Sequence, residues 1–147
     1  MALAGDIITA LMLTVTSTEN EDPTLGRTTA SNTYTDASGG AMSAQLVVPV
    51  SGKVAVEIRS TQRNSSSSNT ITSWQAVGSV SGTVYSPNDA AALITPGNNN
   101  QPLDLRKHLS GLVPGETLTV TIKHRVNNVA TQALMDYRLI LIEGLWG

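Results

Sequence analysis

Two segments of this chain alternate strictly between apolar and polar residues: Lys53-Val-Ala-Val-Glu-Ile-Arg59 and Thr117-Leu-Thr-Val-Thr-Ile-Lys123. A period of two puts Val54, Val56 and Ile58 on one side of an extended chain and Lys53, Glu57 and Arg59 on the other. Leu118, Val120 and Ile122 oppose three threonines and Lys123 in the same way. Both segments therefore read as half-buried antiparallel strands. With 147 residues the chain is long enough to bury a core without disulfides or metals, and it has no cysteine with which to build either staple.

The rest of the chain continues the pattern of strand, turn, strand. The segment 28–35 is threonine-rich, Asp36-Ala-Ser-Gly-Gly40 is a turn, and 45–50 is a strand whose Pro49 argues for an edge or a strand end. Ser51-Gly52 has hairpin spacing before the strand that starts at Lys53. Gln62-Arg-Asn-Ser-Ser-Ser-Ser-Asn69 is a low-complexity tip, and its Asn64-Ser65-Ser66 matches a glycosylation sequon. The sheet resumes over 70–84, with Ile71, Trp74, Val77 and Val80 as core candidates. Leu103-Asp-Leu-Arg-Lys-His-Leu109 spaces its leucines for one or two helical turns ended by Gly111, a plug at one end of the sandwich. Val113-Pro-Gly-Glu116 is a β-turn that feeds the strand from Thr117. The last strand is expected over 131–142, with Leu134, Asp136, Arg138, Ile140 and Ile142 on one face.

This pattern predicts an all-β fold, an antiparallel β-sandwich of jelly-roll or Ig-like type with an N-terminal arm and one short helical turn. Residues 1–26 form the arm and an acidic loop, and residues 27–147 the sandwich domain. The arm contains Ile7-Ile-Thr-Ala-Leu-Met-Leu-Thr-Val15, which reads as a helical turn capped by Asp6 that runs into a strand. This run has no Lys or Arg before it, so export by a signal peptide is not expected, and it is too short and threonine-rich to span a bilayer.

Charged residues make up only 14 % of the chain against roughly a quarter in ordinary soluble domains, and Thr, Ser, Asn and Gly take their place. Uncharged hydroxyls and amides lose less than charges do when an interface strips their water, so such a surface suits a chain packed among neighbours. A net charge of -2 gives no basic footprint for nucleic acid. The chain contains no HExxH, GxSxG or Walker sequence, and its aspartates are scattered along it, which reads as turn and cap duty. His108 and His124 read as surface or partly packed residues. The sequence predicts no enzyme, no cofactor and no metal site. Trp74 is expected to anchor the core and Trp146 an interface.

Four segments carry a family resemblance: Leu3-Ala-Gly-Asp-Ile-Ile8, the run from Val48 to Arg59, Gly111-Leu-Val-Pro-Gly-Glu-Thr-Leu-Thr-Val120 and Tyr137-Arg-Leu-Ile-Leu-Ile-Glu-Gly-Leu145. Together they resemble small virion proteins of tailed phages, above all those infecting actinobacteria, which serve as capsid decoration proteins and minor tail proteins. The resemblance implies a sandwich that adds to a virion through an extended arm. Its partners would be the major capsid protein or tail subunits, with further copies of itself in a homo-oligomer such as a trimer, and with neither nucleic acid nor membrane. The expected location is the virion, assembled in the host cytoplasm. The expected subunit contacts are Leu3, Ile7, Ile8, Leu11, Leu13 and Val15 in the arm, and Leu139, Leu141, Leu145 and Trp146 at the other terminus. The alternative is a receptor- or glycan-binding module that uses the loops 64–69 and 96–102, with Trp74 as a sugar platform.

Overall fold

A computed structural model describes residues 16–146 of the chain. The expected capping role of Asp6 and the contacts assigned to Leu3, Ile7, Ile8, Leu11, Leu13 and Val15 lie outside the described residues.

Ten strands form two five-stranded antiparallel sheets packed as a sandwich. The first sheet has the order β1 (Ser17–Asp22), β10 (Ala133–Gly144), β4 (Val54–Asn64), β8 (Gln101–Leu109), with β2 (Arg27–Thr29) following β1 along the same edge of β10. The second has the order β3 (Met42–Val47), β9 (Thr117–Val126), β5 (Asn69–Gly78), β6 (Gly82–Tyr85), and β7 (Leu93–Pro96) shares the β6 edge of β5. From β8 onward each strand lies in the sheet opposite to its predecessor. These crossings, with few hairpins, give the chain its jelly-roll character.

Both diagnostic strands behave as their alternation requires. Val54, Val56 and Ile58 of β4 face Leu118, Val120 and Ile122 of β9 across the core, joined by Ile140 and Ile142 of β10 and Met42, Ala44 and Leu46 of β3. Each large side chain enclosed in this way contributes about 1.5–3 kcal/mol of apolar transfer. Trp74 is fully buried and stacks on Tyr85 with ring centroids 4.0 Å apart. A second, smaller apolar cluster joins Ala37, Val126, Ala133 and Met135.

Several expectations need correction. The leucines of residues 103–109 belong to edge strand β8, not to a helical plug: Leu103, Leu105 and Leu109 pair opposite Ser60, Ile58 and Val54 and point inward, so their real period is two. The short helical element is instead a 3₁₀ turn at Asp89–Ala91, capped by the Asn88 side chain, which accepts from the Ala91 N–H. The acidic stretch after residue 17 is not a loop at first: β1 pairs with β10 from Ser17 opposite Glu143 to Asp22 opposite Arg138. The expected division at residues 26 and 27 thus falls inside the first sheet. The segment 28–35 is strand only at β2 and in a single bridge between Thr35 and His124. Ser51 and Gly52 do not close a hairpin, because β3 and β4 lie in opposite sheets.

The expected tip over 62–69 shrinks to four residues, since β4 runs to Asn64 and β5 begins at Asn69. Asn64, the sequon asparagine, is buried and accepts from the Ser66 N–H. Of the core candidates in this region, Ile71 and Trp74 are buried, whereas Val77 and Val80 face solvent. Ile71 lies on the outer side of β5, opposite Ile94 and Arg125.

A β-bulge in β10 between Met135 and Tyr137 inserts one residue opposite β4. Beyond it the inward set changes parity, so Arg138, Ile140 and Ile142 share the buried side with Ala133 and Met135. Leu134 and Asp136 do not share that side, contrary to the simple alternation read from the sequence.

Candidate functional site

The inward-turned Arg138 heads a polar layer that separates the two apolar clusters. One of its N–H groups donates to His124 Nε2 at 3.3 Å, which leaves the imidazole proton on Nδ1, 2.8 Å from Thr72 Oγ1. The Thr72 hydroxyl donates in turn to Gln62 Oε1, and Gln62 Nε2 donates to the carbonyls of Thr70 and Leu93. At its other end Arg138 pairs with Asp22 of β1, which also accepts from Arg27 Nε at 3.1 Å.

Burial pushes the His124 pKa down to about 3, and the cationic charges of Arg138 and Lys123 push the same way. Burial would raise Asp22, but hydrogen bonds from Arg138, Thr24 and Arg27 outweigh it and hold this carboxyl well below the usual carboxylate range. A hydroxyl beside an imidazole is the arrangement of nucleophilic catalysis. Here Thr72, His124 and Gln62 are wholly enclosed, and no substrate can reach them. The layer joins the sheets. His124 is therefore more deeply packed than the sequence suggested, while His108 is exposed on β8.

A second buried ion organises one end of the sandwich. Glu116 accepts hydrogen bonds from the Ser81 N–H at 2.9 Å, the Ser81 hydroxyl at 2.7 Å, the Val113 N–H at 2.9 Å and the Val80 N–H at 3.1 Å. These donors, led by those of Ser81, lower its pKa to about 2. One carboxylate thereby ties the β5–β6 turn to the loop before β9. Gly78 makes room for it, since a Cβ there would lie 2.2 Å from Glu116 Oε2. Gly52 has φ +65°, and a Cβ on it would meet the Leu112 carbonyl oxygen at 2.7 Å.

The loops gathered at this end are apolar at their tips. Val47 is 58 % exposed, Val50 64 % and Val80 71 %, and Val113 is also exposed. The first and last described segments meet at this end. The Gly144 N–H donates to the Thr16 carbonyl at 2.8 Å, the Leu145 N–H donates to that of Lys53 at 3.0 Å, and the Ser51 hydroxyl donates to that of Leu145. Of the expected contact residues, Trp146 is 48 % exposed here and Leu145 is half-buried. Leu141 is half-buried on the outer side of the first sheet. Leu139 is only 6 % exposed within a single chain, between Glu21 of β1 and Arg59 of β4.

The two outer faces differ in chemistry. On the first sheet, Glu57 pairs with Arg59 and Arg106, Arg106 also pairs with Glu143, and Arg63 approaches Asp136. A groove of about 430 Å³ crosses this face between Arg59, Thr61, Pro102, Asp104 and Tyr137. The two loops of the glycan-binding alternative meet beside it: the Gly97 N–H donates to the Ser68 carbonyl, and Arg63 reaches Asn98. Trp74 cannot serve them, because it lies in the core.

On the second sheet the outward residues of β3 and β9 are Ser43, Gln45 and Val47 opposite Thr121, Thr119 and Thr117. Ser43 bonds Thr121 at 2.7 Å, and Gln45 donates to Thr119 at 3.1 Å. Gln75, Val77 and Thr83 continue this uncharged block on β5 and β6. Charges appear only further along β9, where Lys123 pairs with Asp36 at 2.7 Å and Arg125 with Asp89. Among the described residues no three His, Asp or Glu side chains are grouped as a metal site would need.

No protein-family model matches the chain, and no curated protein matches it by sequence. By structure it is similar to the CBM36-1 domain of a multidomain xylanase from the hindgut metagenome of Trinervitermes trinervoides. That similarity has a TM-score of 0.45 and 13 % identity over 90 % of this chain and 99 % of the other. It is also similar to part of the enzymatically active domain of tailspike protein 4 from bacteriophage CBA120, with a TM-score of 0.34 and 6 % identity. That match takes in 87 % of this chain but only 19 % of the tailspike chain.

Proposed function

We propose that the chain is a non-enzymatic structural protein of a tailed-phage virion, a decoration protein that adds to the assembled head lattice and stabilises it. The observation that carries this reading is the apolar end, where Val47, Val50, Val80, Val113 and Trp146 are exposed and where Thr16 pairs with Gly144. Burying such side chains against a lattice that exists only after assembly stabilises the assembled state by mass action. The scarcity of charge and the four-segment resemblance to small virion proteins support the same reading.

The test is a loading assay on particles that lack the protein. The full chain should load at fixed stoichiometry and raise the temperature at which the particles open. A chain without residues 1–15, or one carrying Val50→Asp and Val113→Asp, should stay folded and fail to load. Undiminished loading by these variants would remove the end and the arm from the contact, and loading onto tails alone would make the chain a minor tail protein.

The groove favours a second reading, a glycan-binding module. Tyr137 offers a ring and Arg59 and Asp104 offer charged hydrogen-bonding groups along one channel, beside the two adjoining loops. Binding on a glycan array that Tyr137→Ala abolishes without unfolding would support it, and a silent array would count against it.

A further inference from the structure

We infer that the groove on the outer face of the first sheet takes a cationic amino sugar, a pyranose that carries a free ammonium group within an oligosaccharide. The inference rests on the glycan-binding reading and names the class of sugar that such a site would select. At about 430 Å³ the groove falls within the roughly 300–1,000 Å³ of ligand-binding clefts. Tyr137, Thr61 and Pro102 form one row across β10, β4 and β8. Glu21, Leu139, Arg59 and Asp104 form the next row, which reaches β1.

Charge selects the ligand. The arginines of this face are engaged within the chain: Arg59 Nε donates to Glu57 at 2.6 Å, Arg106 pairs with Glu143 at 2.6 Å, and Arg63 approaches Asp136 at 3.9 Å. Glu21 and Asp104, at the two ends of their row, enter no ion pair among the described residues, and neither does Glu19. Residues 1–15 contain no Lys, Arg or His, so no side chain of that segment can neutralise them. The Tyr137 hydroxyl donates to Glu21 at 3.4 Å, and burial, with the charges of Glu21 and Glu19, pushes the phenol pKa up. The aromatic wall of the groove thus stands among carboxylates that this chain does not compensate. A uronate, sulfate or phosphate on a sugar would be repelled there. An ammonium group would gain a charge-assisted hydrogen bond to a carboxylate and the attraction of the ring face.

The surroundings favour a sugar over a basic peptide. The loop Gly97-Asn-Asn-Asn100 beside the groove offers amides and no charge, which suits the hydroxyls of neighbouring sugar units. A run of lysines would find no carboxylate along that loop.

The experiment is isothermal titration calorimetry of the full chain at pH 6 with four probes, the tetramers of glucosamine, N-acetylglucosamine and galacturonic acid, and tetralysine. The glucosamine tetramer, whose amines are then mostly protonated, should bind with a Kd about 10-fold lower than its N-acetylated counterpart. High salt should shrink that ratio. Asp104→Asn should reduce the ratio at least ~3-fold, and Tyr137→Ala should abolish glucosamine binding while keeping the wild-type circular dichroism. If the neutral or the anionic tetramer binds as tightly as glucosamine, the inference falls and the glycan-binding reading stands. Equal binding of tetralysine also overturns it, because the groove would then be a general cation site. If all three sugars are silent, the glycan-binding reading falls and this inference with it.

Discussion

Acidifying the solution from pH 7 to pH 5 should remove a defined part of the stability, and His124 is the group responsible. In the unfolded chain its imidazole titrates near 6.5, whereas in the fold burial beside Arg138 holds it at about 3. Between those values the unfolded state takes up a proton that the native state refuses. Stability is therefore full above pH 6.5 and declines as the pH falls toward 3. The limiting slope is about 1.4 kcal/mol per pH unit. Allowing for partial charging of the unfolded imidazole near its midpoint, the loss between pH 7 and pH 5 comes to about 2 kcal/mol. A domain of this size has only roughly 5–15 kcal/mol in total. Asp22 and Glu116 also lose their contribution in acid, but only once the pH approaches their unfolded values of 3.8 and 4.5, below this window. The assay is urea unfolding at both pH values for the wild type, His124→Gln and His108→Gln. The wild type and His108→Gln should lose about 2 kcal/mol, whereas His124→Gln, whatever its stability at pH 7, should lose almost none of it. Equal losses in all three proteins would refute the enclosed neutral imidazole.

Ile58 is fully buried, so Ile58→Ala should cost about 2–5 kcal/mol in urea unfolding, while Val50→Ala at the exposed end should stay within about 0.5 kcal/mol. Gly78→Ala and Glu116→Gln should each lower the melting temperature, and the double variant should fall short of the sum, because both changes dismantle the same set of hydrogen bonds; strict additivity would show that the two sites are uncoupled. Acrylamide should quench one class of tryptophan in the wild type, and Trp146→Phe should leave a single protected, blue-shifted emission from Trp74; residual strong quenching would contradict the enclosed stack on Tyr85.

Strands β4 and β9 were legible because each carries its own apolar face. Strand β1 was not, because Ser17–Asp22 contributes no apolar residue: it belongs to the sheet through backbone pairing with β10. The leucines of β8 misled because Leu105 and Leu109 are four apart, a spacing that also fits one face of a helix, and only pairing with β4 decides between the two. Trp74 could be placed from its apolar surroundings, whereas the polar layer could not be foreseen. Asp22, Gln62, Thr72, His124 and Arg138 come from five strands, and none has a neighbour in sequence that announces its partner. Glu116 was visible only as the end of a turn, since its donors at residues 80 and 81 lie far away along the chain.

The extra residue in β10 makes that strand a splice of two phases, with Asp136 standing at the joint and held there by the Gly26 N–H and the Asn100 amide. A variant with this one codon deleted would lose the bulge and leave every later side chain pointing as before, with Arg138, Ile140 and Ile142 still inward opposite Ser60, Ile58 and Val56 and Leu139 and Leu141 still outward. Two descendants of a common ancestor that differ only by this insertion would thus match better, strand for strand, when aligned by which way each residue points than by its place in the count.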